Sequence, residues 1–183
     1  MLESFLIPFI TISFAELLDK SQLSVLLLAT KTKKHIQLLL GVMIAFVLVD
    51  GLAIVFGEFI TTVIPKIYIN VISGTLFLLF GIFSLRQSKE TEGKVPKLRN
   101  PILSGFTLVF FSEMGDKTQL AAAVFAAKYD PLMVFAGVMC ALFLLSILAI
   151  VLSKQLTRMF KPHHIRIVSG IIFILLGLGF FVI

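Results

Sequence analysis

Glu16, Asp19 and Lys20 fall within five residues of an otherwise apolar stretch, FAELLDKSQL at 14–23, and Glu113, Asp116 and Lys117 repeat them in FSEMGDKTQL at 111–120. On a continuous helix, a Glu and an Asp three residues apart sit about 60° apart around the axis, so both carboxylates share one face. A Lys four residues after the Glu joins that face. Gln22 and Gln119, three residues beyond each Asp, extend it, and Ser21 and Thr118 each add a hydroxyl. The stripe offers oxygen ligands and contains no Cys or His. Such a set suits Ca²⁺, Mn²⁺ or Mg²⁺, argues against Cu(I) and fits Zn²⁺ poorly. Met114 could add a soft ligand, but its counterpart Leu17 cannot, so it reads as packing.

Charge counting sharpens the chemistry. Glu16, Asp19, Glu113 and Asp116 carry four negative charges, and Lys20 and Lys117 two positive ones. The remaining two negative charges are balanced by one divalent cation or by two protons. A site that accepts either, but not both together, is the minimum device for exchange. The plainer alternative is that the lysines pair with the acids to staple two helices. Buried pairs are weak stabilisers compared with apolar packing, and ionisable groups inside a membrane mark ion pathways by default.

These residues are placed by very apolar elements. The 183-residue chain is 58% hydrophobic and its mean hydropathy is +1.07, more apolar surface than a soluble domain of this length can hide. Six apolar segments, about 5–29, 36–60, 67–85, 102–127, 132–153 and 165–183, are each long enough to read as a transmembrane helix. A charge in the middle of one costs roughly 2.5–3.5 kcal/mol on insertion, so the motif acids must face each other or water.

Shifting the chain by 97 positions lays the first motif on the second, and shifting by 96 lays ISGTLFLLFG at 72–81 on VSGIIFILLG at 168–177 and GVM at 41–43 on GVM at 137–139. The expected fold is an all-α membrane protein of six transmembrane helices, built as two inverted-topology repeats of three. Residues 1–85 form the first repeat, 86–101 a cytoplasmic linker and 102–183 the second. An odd number of helices per repeat inverts the second half, and such halves bind substrate where they meet near the midplane.

The net charge of +6 is topogenic. Lys31, Lys33, Lys34, Arg86, Lys89, Lys94, Lys97, Arg99, Lys154, Arg158, Lys161 and Arg166 fall on one side of this topology, against Lys66 and Lys128 on the other. The basic loops are expected in the cytoplasm, with both termini opposite, and nucleic-acid binding is excluded. The N-terminus lacks the basic region of a secretory signal, so the first segment is expected to be retained. Cys140, the one cysteine, permits neither an intramolecular disulfide nor a thiolate metal cluster.

EMGDKT at 113–118 resembles the Glu-x-Gly-Asp-Lys/Arg-Thr/Ser signature of the small cation/proton exchangers of bacteria, chloroplasts and the Golgi, which include bacterial manganese exporters. The resemblance covers the whole chain. It implies export of Mn²⁺, with Ca²⁺ handled by some members, in exchange for protons, and it implies that the motif carboxylates bind the cation. The first motif, ELLDKS, departs from the signature by carrying Leu18 in place of Gly, which predicts a stiffer first half at that point.

Elsewhere, Asp50 in the second segment aligns with Ser146 and has no acidic twin; it reads either as a step in a proton pathway or as a structural hydrogen-bonding group. Glu58 reads as an interface residue, and His163 and His164 as a loop pair beside Lys161 and Arg166. Gly74 and Gly81, with Gly170 and Gly177, mark close helix packing. The expected function is export of a divalent cation, Mn²⁺ first, through Glu16, Asp19, Glu113 and Asp116 with Gln22 and Gln119. Ser21, Thr118, Lys20 and Lys117 support that site, which lies in an inner-membrane protein. A Ca²⁺/H⁺ exchanger at the same site is the alternative, then a cation channel lined by acids. No cofactor is expected beyond the transported ions. No nucleophile–His pair is present for an enzyme.

Overall fold

A computed structural model describes residues 1–17, 19–86, 100–151 and 162–182. Leu18, nearly all of the expected linker 86–101, and the side chains of Lys20, His163 and His164 lie outside the described residues. The described chain is all helical: α1 (Leu2–Glu16), α2 (Lys20–Thr30), α3 (His35–Val63), α4 (Lys66–Arg86), α5 (Pro101–Glu113), α6 (Lys117–Lys128), α7 (Pro131–Val151) and α8 (Pro162–Val182).

Two of these, α3 with 29 residues and α7 with 21, are long and apolar enough to cross a bilayer unaided. They pack on each other at the centre. α5 and α6 lie along α3, α1 and α2 lie along α7, and α4 packs chiefly against α8. Large apolar side chains such as Phe56, Phe59, Phe83, Phe111 and Leu132 cover the outside, the surface of a protein solvated by lipid rather than water.

Glycines set the closest approaches. A Cβ on Gly41 would lie 2.0 Å from the Ile102 carbonyl oxygen, and one on Gly137 would lie 2.5 Å from that of Phe5. The expected close packing at the paired glycines is present: a Cβ on Gly74 would come 3.0 Å from the Gly177 carbonyl, and one on Gly81 would come 2.8 Å from that of Gly170. Backbones that meet this closely gain dispersion contacts that lipid cannot replace. Inside, Phe77 holds α4 to its neighbours, with ring centroids 5.2 Å from Phe125, 5.7 Å from Phe173 and 5.5 Å from Phe180.

The continuous helices expected over 5–29 and 102–127 are each broken at the motif. α1 ends at Glu16 and α2 begins at Lys20; α5 ends at Glu113 and α6 begins at Lys117. Both breaks open and close alike. Leu17 (φ −60, ψ 113) and Met114 (φ −63, ψ 110) turn into extended backbone. In each case the Asp N–H then donates back to the Glu carbonyl three residues earlier, 3.0 Å in both motifs. In the second, Gly115 takes φ +82, a left-handed conformation that a helix interior cannot hold and that glycine adopts without Cβ strain.

Candidate cation site

The breaks decide what the motif can do. Glu16 and Glu113 are the last residues of half-helices, where the aligned peptide dipoles leave partial negative charge; Asp19 and Asp116 stand at the start of the next half-helices, where the dipoles leave partial positive charge. Backbone of this kind at membrane depth is tolerated where protein buries it or where it lines a cavity. Each motif therefore sets a Glu at a helix C-terminus, the electronegative end of its half-helix.

Glu16, Asp19 and Asp116 converge there. Each contributes a carboxylate oxygen, and these oxygens lie within 4.8 Å of one another. Glu16 has no exposed surface. Its Oε2 accepts a hydrogen bond from Ser21 Oγ at 3.1 Å, while its Oε1 has no hydrogen-bond partner. Lys117 crosses from the second motif to form an ion pair with Asp19 of the first. It is a lysine–acid pair between two helices, the contact that the plainer, stapling reading of the motif expected.

Glu113, the fourth expected acid, is outside that trio. It is buried, and its Oε2 accepts from Thr118 Oγ1 at 3.3 Å. This repeats the Ser21–Glu16 bond of the first motif. The expected common face of Glu and Asp does not exist, because three residues across a break do not follow helical geometry. The trio therefore takes two acids from the first motif and one from the second.

The glutamines differ as well. Gln119 Oε1 accepts from the Gly115 N–H at 2.7 Å, and its Nε2 donates to the Val49 carbonyl oxygen at 3.3 Å. Gln22 is buried with neither amide atom hydrogen-bonded. Asp50, on α3 beside Val49, is also buried, and its Oδ2 has no hydrogen-bond partner. The Val49 carbonyl is a participant that sequence could not reveal, since a backbone oxygen carries no residue signature.

The arrangement can hold a hard cation among carboxylate oxygens in a poorly hydrated interior. Known proteins agree with that chemistry. Among relatives, a GDT1-like protein of Schizosaccharomyces pombe is 23% identical, covering 89% of this chain and 83% of its own length. A Vibrio cholerae protein that bears the provisional name of manganese exporter is 26% identical, over 92% of this chain and 86% of its own. A GDT1-like protein of Synechocystis is 26% identical over 96% of this chain and 95% of its own. No solved structure matches the chain. The family model for the divalent cation/proton antiporter GDT1 matches residues 4–92 and 101–182, and the chain therefore belongs to the GDT1 family of antiporters, which are transporters of divalent cations and protons rather than enzymes.

Proposed function

We propose that this antiporter exports Mn²⁺ in exchange for protons, through a site built on Glu16, Asp19 and Asp116. The carrying observation is the convergence of those three carboxylates from two broken helices. Glu113, Gln22 and Gln119 complete the site's polar surround, and Ser21 and Thr118 orient the glutamates. The trio and Lys117 together carry two net negative charges; Glu113 and Lys20 add one of each sign and leave that sum unchanged. One divalent cation or two protons neutralise it. Lys117, as the internal partner of Asp19, keeps that acid compensated when the cation leaves. Asp50, buried one residue from the Gln119 acceptor, is a route for protons between the site and the surface.

The same reading takes the chain as two inverted repeats that cross the membrane six times, with α1–α2 and α5–α6 each forming one interrupted crossing. Several observations support it. The two breaks share backbone angles and hydrogen bonds. Gly41 against Ile102 is matched by Gly137 against Phe5, at equivalent positions of the two halves. α5 and α6 lie on α3 as α1 and α2 lie on α7. With the basic loops cytoplasmic, both termini face outward from the inner membrane.

Oxygen ligands also serve Ca²⁺, so the test competes ions. Purified protein in proteoliposomes under an imposed pH gradient is expected to move Mn²⁺, with Ca²⁺ competing less well and Mg²⁺ least. Preferred movement of Ca²⁺ would reassign the substrate at the same site. No movement of either ion would overturn the reading.

A further inference from the structure

Gln22 and Gln119 hold equivalent places in the two motifs, yet the structure uses them differently. Gln119 is engaged at both ends: its Oε1 takes the Gly115 N–H and its Nε2 reaches the Val49 carbonyl. It ties the break between α5 and α6 to the middle of α3. Gln22 is 3% exposed, and neither its Oε1 nor its Nε2 has a hydrogen-bond partner.

α2 packs on α7, where the residue equivalent to Val49 is Leu145. The next residue, Ser146, has no exposed surface, and its hydroxyl is also without a partner. One half thus displays a completed glutamine bridge, and the other displays the equivalent glutamine without it, on a helix packed against the one that carries the equivalent carbonyl. Buried amides and hydroxyls are normally satisfied. A set left unmatched on facing helices is explained by a second arrangement that matches it.

We propose that the two glutamines form an alternating latch. In the arrangement described here Gln119 holds α6 against α3. In the opposite arrangement Gln22 makes the equivalent bond to the Leu145 carbonyl, beside Ser146, and Gln119 lets go. Related halves that exchange conformations are how such proteins alternate access. The glutamine outside the latch turns its amide oxygen to the cation, so the two halves complete the shell in turn. This last step rests on the proposed ion site; the latch itself stands on the hydrogen bonds and packing alone.

Spin labels at two equivalent pairs test it in a Cys140→Ser background: Val55 with Ala127 across α3 and α6, and Val151 with Thr30 across α7 and α2. Distances are read by double electron–electron resonance without added divalent cation. Gln119→Ala is expected to lengthen the 55–127 distance and shorten the 30–151 distance, changing the ratio of the two populations about tenfold. Gln22→Ala is expected to shift both the other way. Gln119→Met, which keeps the length of the side chain but loses both hydrogen-bonding atoms, must follow Gln119→Ala and serves if the alanine variant does not fold. Shifts in the same direction from the two glutamines, or no shift from either, overturn the latch. Opposite shifts in a protein that moves no divalent cation would uphold the latch and overturn only the ion site.

Discussion

Glu16 combines complete burial with one carboxylate oxygen bonded to Ser21 and the other without a partner. A buried acid so placed needs a cation or a proton to compensate it. Replacing it by Gln keeps the shape and the Ser21 bond while removing the charge, so Glu16→Gln is expected to fold and to lower Mn²⁺ flux in proteoliposomes by more than the roughly 10- to 100-fold typical of losing a ligand-orienting group. Ser21→Ala is expected to fall within that roughly 10- to 100-fold range. Thr118→Val, which loosens Glu113 outside the trio, should cost less; equal losses would mean that the two halves contribute alike. The acids, amides and hydroxyls of the site were legible as residue types at a fixed spacing. Their grouping was not, because the helical face that related Glu to Asp assumed unbroken helices.

Each break is an element with its own energetics. Gly115 has φ +82 and open space where a Cβ would project, so Gly115→Ala tests backbone strain alone. It is expected to cost about 1–2 kcal/mol, read as a lower melting temperature in detergent, with Gly115→Asn milder because Asn tolerates that region. The helix contacts give a second comparison. Gly41→Ala and Gly137→Ala drive a methyl onto carbonyl oxygens of α5 and α1 and are expected to cost about 1–3 kcal/mol or more. Gly179→Ala, with nothing within 4 Å of the new methyl, should leave the melting temperature unchanged or raise it. Apolar length announced α3 and α7 in advance, and glycine spacing announced close helix packing, though not that α4 and α8 are the helices that meet there. The interruptions were half legible: Gly115 marks a point where helix fails, whereas the first break reaches the same angles at Leu17, a residue that favours helix. The N–H of Asp19 closes that turn on the Glu16 carbonyl, a backbone bond that residue types do not announce.

At the scale of the whole molecule, the proposed site carries a prediction about how the exchanger couples to the membrane. Glu16, Asp19 and Asp116 with Lys117 hold two net negative charges, in an interior where a net charge is expensive to carry across the bilayer. A turnover that brings one divalent cation out and two protons in keeps the moving site neutral on both legs. Such exchange transfers no net charge, so a transmembrane potential alone has nothing to act on, whereas a moved elementary charge would gain about 2.3 kcal/mol per 100 mV. In proteoliposomes clamped with K⁺ and valinomycin, Mn²⁺ flux is therefore expected to follow the pH gradient and to ignore a potential of about 100 mV. At that potential, one uncompensated charge per cycle would shift the balance point of the ion gradients by nearly fifty-fold, which the same assay resolves easily. A flux driven by potential and indifferent to pH would instead indicate a channel-like path along the acids, and the exchange stoichiometry would fall with it.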